Sequence, residues 1–137
     1  MKKVMIVMFL IIVVLCGCAT PESLRQEGPA VTFNTVKGTP QEFSRCLVCQ
    51  LDNKFVNSIV RDHPGGNATV LVKDNDQIET RIMFDIDKTM NGVNILVYFS
   101  SWDSEVSRQF GMDNRANYMF SVVEKSLNAC GAKESRY

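Results

Sequence analysis

The chain has one histidine, one tryptophan and four prolines in 137 residues, and its 15 basic residues are matched by 15 acidic ones. No run of like charge occurs, which argues against nucleic acid as a partner. The only histidine, His63, lies in Arg61 to Thr69 (RDHPGGNAT), so a Ser-His-Asp or Cys-His relay would have to use it with the adjacent Asp62. Neighbours in sequence rarely supply that geometry, and the loop reads more simply as a connector turned by its glycines. Gly65-Gly66 lacks the length and the following helix of a phosphate loop. The longest uncharged apolar run, Val4 to Leu15, covers 12 residues. A transmembrane helix needs roughly 20.

With Lys2 and Lys3 before it, that run instead has the length and flanks of a secretory signal peptide. It ends at Leu15-Cys16-Gly17-Cys18, a leucine, a small residue, glycine and cysteine. This resembles the lipobox of bacterial lipoproteins, with Cys16 as the one departure, since that position usually holds alanine or serine. The resemblance covers 18 residues and implies that Cys18 is joined to a diacylglycerol, that the peptide is cut after Gly17, and that the new amino terminus is acylated, with palmitate or a similar chain. Leu15 would fill the upstream pocket and Cys16 would leave with the peptide. Ala19, where aspartate would favour the inner membrane, implies the outer membrane, on its periplasmic face. The lipid on Cys18 makes the membrane a partner: each buried methylene contributes about 0.8 kcal/mol, so several chains on one residue anchor it lastingly.

Losing residues 1–17 removes Lys2 and Lys3 and no acid, leaving 13 basic and 15 acidic residues. Residues 18–29 read as a polar, lipidated tether, and 30–137 as a single domain. Besides Cys18, the exported part holds Cys46, Cys49 and Cys130, and an oxidising compartment favours pairing two of them. Thr39-Pro40-Gln41-Glu42 is a capping box with proline at the first helical position. The helix it starts, about Pro40 to Asp52, aligns Phe43, Cys46, Leu47 and Leu51, with Cys49 off the stripe. A carboxy-terminal helix from Asp113 aligns Ala116, Met119, Phe120, Val123, Leu127 and Cys130, and Gly131 stops it. Cys46 and Cys130 therefore form the expected disulfide, closing a loop worth roughly 3–5 kcal/mol in the chain-entropy model. Connectivity is not decided by sequence, and Cys46-Leu47-Val48-Cys49 remains a C-x-x-C. A redox site of that kind wants its first cysteine at a helix amino terminus, whereas this helix starts six residues earlier. A zinc site would want a second pair, and only Cys130 and His63 are on hand.

Between the helices the period falls to two. Ala68–Lys73, then Ile78 to Asp87, then Val93 to Phe99 read as an antiparallel three-stranded meander with one apolar and one solvated face. Ala30 to Val36 offers a fourth strand. The expected fold class is α+β, in the order β-α-β-β-β-α, with a three- to four-stranded antiparallel sheet and both helices on its apolar face. Several small lipoproteins of unknown role share this outline loosely, and the likeness names no activity. Asp85 and Asp87 share a strand face about 7 Å apart, a spacing suited to a carboxylate pair but ordinary on a charged outer face.

No residue set is assigned to catalysis, to a cofactor or to a metal. The connector after the last strand holds the only tryptophan, Trp102, along with Phe110. Folded back, they cover the edge of the core; exposed, Trp102 is a candidate anchor for a partner. The expected function is non-enzymatic: an outer-membrane-anchored periplasmic lipoprotein that binds an envelope protein or supports an envelope assembly. The alternative is a small-ligand or thiol-redox domain of the envelope.

Overall fold

The computed structural model describes residues 20–52, 58–73, 80–100 and 113–135. In chain order it contains helix α1 (Pro21–Glu27), strand β1 (Val31–Thr35), helix α2 (Pro40–Asp52), strands β2 (Ser58–Asp62), β3 (Ala68–Lys73), β4 (Thr80–Thr89) and β5 (Gly92–Phe99), helix α3 (Asp113–Ala129) and the short strand β6 (Lys133–Glu134). The six strands make one antiparallel sheet in the order β2-β3-β4-β5-β1-β6. β2 to β5 form a meander that brings β5 back beside β1.

The class is α+β with an antiparallel sheet, as expected, but strands and helices are more numerous than the pattern showed. β2 is the edge strand of the meander, where the sequence suggested only the start of a connector. Its last two residues, Arg61 and Asp62, are exposed and charged, so the alternation is too short to read. The loop holding His63 is the turn of the β2–β3 hairpin, closed by the amide of His63 donating to the carbonyl of Asn67 at 2.9 Å. The larger correction is α1, which lies within the segment expected to be a tether. Its start was legible: Thr20-Pro21-Glu22-Ser23 repeats the pattern of Thr39-Pro40-Gln41-Glu42. In both, the threonine hydroxyl accepts the amide three residues on, and that residue's side chain accepts the threonine amide.

The inner face of the sheet carries Phe33, Ala68, Val70, Val72, Ile82, Phe84, Ile86, Val93, Ile95 and Val97, all buried. Phe43, Leu47 and Leu51 of α2 and Val123 and Leu127 of α3 close over it. The period of 3.6 in the helices and of two in the strands thus meets in a single core. α3 ends in a Schellman turn: the amide of Ala132 donates to Leu127 and that of Gly131 to Asn128, both at 3.0 Å, with Gly131 at φ 88°. Ala132 and Leu127 are both in the core, so this turn also packs. At the β4–β5 hairpin, Gly92 faces the end of β1 so closely that a Cβ there would sit 1.9 Å from the carbonyl oxygen of Thr35.

Cys46 of α2 and Cys130, just after α3, form the expected disulfide, with Cα atoms 5.9 Å apart. It ties the two inner helices together. Cys49 is exposed and outside the bridge.

Candidate functional site

The outer face of the sheet is not simply solvated. Register places Leu71 opposite Met83 and Met83 opposite Tyr98, an apolar row across β3, β4 and β5. Two residues along, Thr69 stands opposite Asp85 and Asp85 opposite Leu96, a polar row beside the first. α1 crosses this face, and its consecutive residues Leu24 and Arg25 engage one row each. Leu24 is 1% exposed and packs with Leu71, Met83 and Tyr98 in a cluster separate from the main core. Burying a leucine this fully contributes about 1.5–3 kcal/mol.

Arg25 meets the polar row as a fork. Its Nε donates to Asp85 Oδ2 and its Nη2 to Asp85 Oδ1, both at 2.8 Å. Nη2 also reaches Thr69 Oγ1 at 3.4 Å. The hydroxyl of Thr69 donates to Asp85 Oδ1 at 2.8 Å, and His63 Nε2 lies 2.8 Å from the same hydroxyl. Because Thr69 has one proton and gives it to the carboxylate, His63 Nε2 is the donor in its bond to Thr69. The chain of hydrogen bonds thus runs from His63 through Thr69 to Asp85, with Arg25 closing it. The Arg25 side chain is 40% exposed, so the ion pair contributes only about 1 kcal/mol after solvent screening.

Burial pushes the Asp85 carboxyl up, but the hydrogen bonds from Arg25 and Thr69 and the charge of Arg25 outweigh it, so the net shift is down. Asp87, on the same face two residues on, moves the other way: burial and the nearby charge of Asp85 raise it. Burial, followed by the charge of Asp85, also keeps the phenol proton of Tyr98 on more tightly. Arg25 is raised by its bond to Asp85. The two aspartates that shared a face in the sequence therefore have different environments, one paired and one not drawn into the fork.

This order of groups does not make a nucleophile. In a serine- or threonine-based relay the histidine stands between hydroxyl and carboxylate and takes the hydroxyl proton. Here threonine stands in the middle, and its proton already points at Asp85. Thr69 is also 3% exposed, beneath the arginine. What the cluster does is hold α1 against the sheet and hold the β2–β3 hairpin to β4. Among the described residues, no three His, Cys, Asp or Glu side chains converge to hold a metal ion, and no helix is long and apolar enough to cross a membrane.

Of the residues singled out from sequence, Cys46 and Cys130 are joined, while Cys18 and Trp102 lie outside the described residues. Sequence reading placed Arg25 in the tether and Thr69 only within a strand, so the cluster's two central donors were missed. Their partners are 60 and 16 positions away, beyond any local pattern.

Comparison with protein-family models, with curated proteins and with solved structures gives no significant match to this chain, so its functional reading rests on its own residues.

Proposed function

We propose that the chain is an outer-membrane lipoprotein of the periplasmic face, anchored by lipid on Cys18, whose α+β domain binds an envelope protein or supports an envelope assembly without catalysing a reaction. The observation that carries the exported setting is the Cys46–Cys130 disulfide, a bond that persists in oxidising compartments and is rare in the cytosol. It agrees with the Lys2-Lys3 start, the apolar run and the Leu15-Cys16-Gly17-Cys18 end. The non-enzymatic part is supported by the order of groups in the cluster of His63, Thr69, Asp85 and Arg25, which suits docking better than proton transfer.

Two measurements test this. Mass spectrometry of the chain purified from bacterial membranes should find an amino-terminal Cys18 carrying diacylglycerol and an acyl chain. Cys18→Ser should abolish the modification and release the chain from outer-membrane fractions; unchanged attachment would sink the lipid reading. Crosslinking in intact envelopes should recover a defined protein partner. Recovery of none, with turnover of a small molecule by the purified domain, would replace the binding role by an enzymatic one.

A further inference from the structure

We propose that α1 is a releasable strap that sets how far the domain stands from its membrane anchor; this rests on the lipid reading of Cys18. α1 has seven residues, whereas an isolated helix needs roughly 12–15 to be even marginal in water, so its helical state depends on docking. Its docking rests on one buried side chain, Leu24, and one half-exposed fork, Arg25 on Asp85. Leu24 belongs to the small outer cluster, and the main core on the other face is complete without it. Release of α1 therefore leaves the six-stranded sheet, the inner helices and the Cys46–Cys130 bridge intact.

The consequence is a change of reach. With α1 docked, Cys18 is two residues from Thr20, so the anchor lies within about 7 Å of the helix cap. With α1 released, the 13 residues from Cys18 to Val31 span up to roughly 43–47 Å. Release also uncovers Leu71, Met83, Tyr98 and Asp85, an apolar and acidic seat matched to a leucine followed by an arginine. A released state a few kcal/mol above the docked one is populated at roughly 0.1–10%.

The test uses the mature lipidated chain in phosphatidylethanolamine–phosphatidylglycerol vesicles, with a donor dye on the exposed Cys49 and an acceptor dye in the bilayer. Amide exchange on the same sample should show the amides of 24–28 opening on the order of a hundredfold faster than those of Phe84 and Val97. Leu24→Ser and Asp85→Asn should each speed α1 exchange further, leave β4 and β5 protected, and lower energy transfer from Cys49. If Leu24→Ser unfolds the chain, Arg25→Gln, at an exposed side chain, is read in its place. α1 amides that exchange only in step with β4 and β5 would overturn the strap. So would variants that free α1 by exchange yet leave energy transfer unchanged. A chain that does not stay on the vesicles sinks the lipid reading instead, and amide exchange, which needs no membrane, still decides whether α1 releases.

Discussion

Arg25 and Asp85, 60 positions apart, share two hydrogen bonds of 2.8 Å that make a bidentate ion pair. The pair joins the short helix α1 to the middle of the sheet. Because the carboxylate sits lower than an ordinary one, its charged form is the one the fold prefers.

That preference has a sign. A carboxyl lowered by folding adds stability that is fully present above its unfolded pKa, about 3.9, and is lost as pH falls through the still lower folded value. α1 should therefore stay docked from neutrality down to about pH 4 and loosen only in stronger acid. Asp87, which is raised, acts oppositely: its contribution is present below the unfolded value and fades as pH rises through the folded one. Amide exchange of residues 24–28 against pH checks this. A release midpoint near neutrality would show that another group controls the docking.

Thr69→Val removes the hydroxyl that lies between His63 and Asp85 while keeping the β-branched shape. Asp85 loses one of the bonds that hold its carboxyl low, so its pKa should climb toward the ordinary carboxylate range. Stability should drop by about 1–3 kcal/mol, because the carboxylate and the imidazole are left short of a partner. Carboxyl-carbon NMR titration reads the first effect and chemical denaturation the second. An unmoved Asp85 would remove Thr69 from the network.

The two glycines with structural duties should differ. Gly92→Ala puts a Cβ 1.9 Å from the Thr35 carbonyl oxygen, so β1 and β5 must separate there. A loss of about 2–3 kcal/mol is expected, at the upper end of ordinary substitutions. Gly131→Ala meets no atom within 4 Å and bears only the cost of its φ of 88°, about 1–2 kcal/mol. Thermal melts of the two variants should rank Gly131→Ala as the milder, and the reverse order would contradict the close approach at Gly92.

A chain beginning at Ala19 should titrate one thiol, Cys49, before reduction and three after it. Cys130→Ala should cost roughly 3–5 kcal/mol, the chain-entropy value for a loop this long. Two or more thiols reacting in the folded, unreduced chain would mean that the bridge does not form.

How much of this could be read beforehand follows from the range of each interaction. The bounds of α2, the start of α3 and its stop, and the strands of the meander came from caps and periods acting over three to seven residues. Cys46 and Cys130 were placed on inward stripes by the same local rules, and their bridge then followed. α1 was missed although its Thr20-Pro21 start carried the same signal as Thr39-Pro40, because its polar composition hid the one leucine that matters. β2 was missed because an edge strand draws its order from the neighbour it pairs with.

By itself, then, the sequence determined two helices, four strands, the apolar face they bury and the cysteines able to meet, because period, capping and turn chemistry are local. Only the tertiary structure decided that Leu24 and Arg25 lie over the outer face, and that His63, Thr69 and Asp85 line up beneath them. Those contacts depend on strand register and helix docking across up to 60 positions, and a hydrogen bond of 2.8 Å leaves no trace in the residues on either side of it.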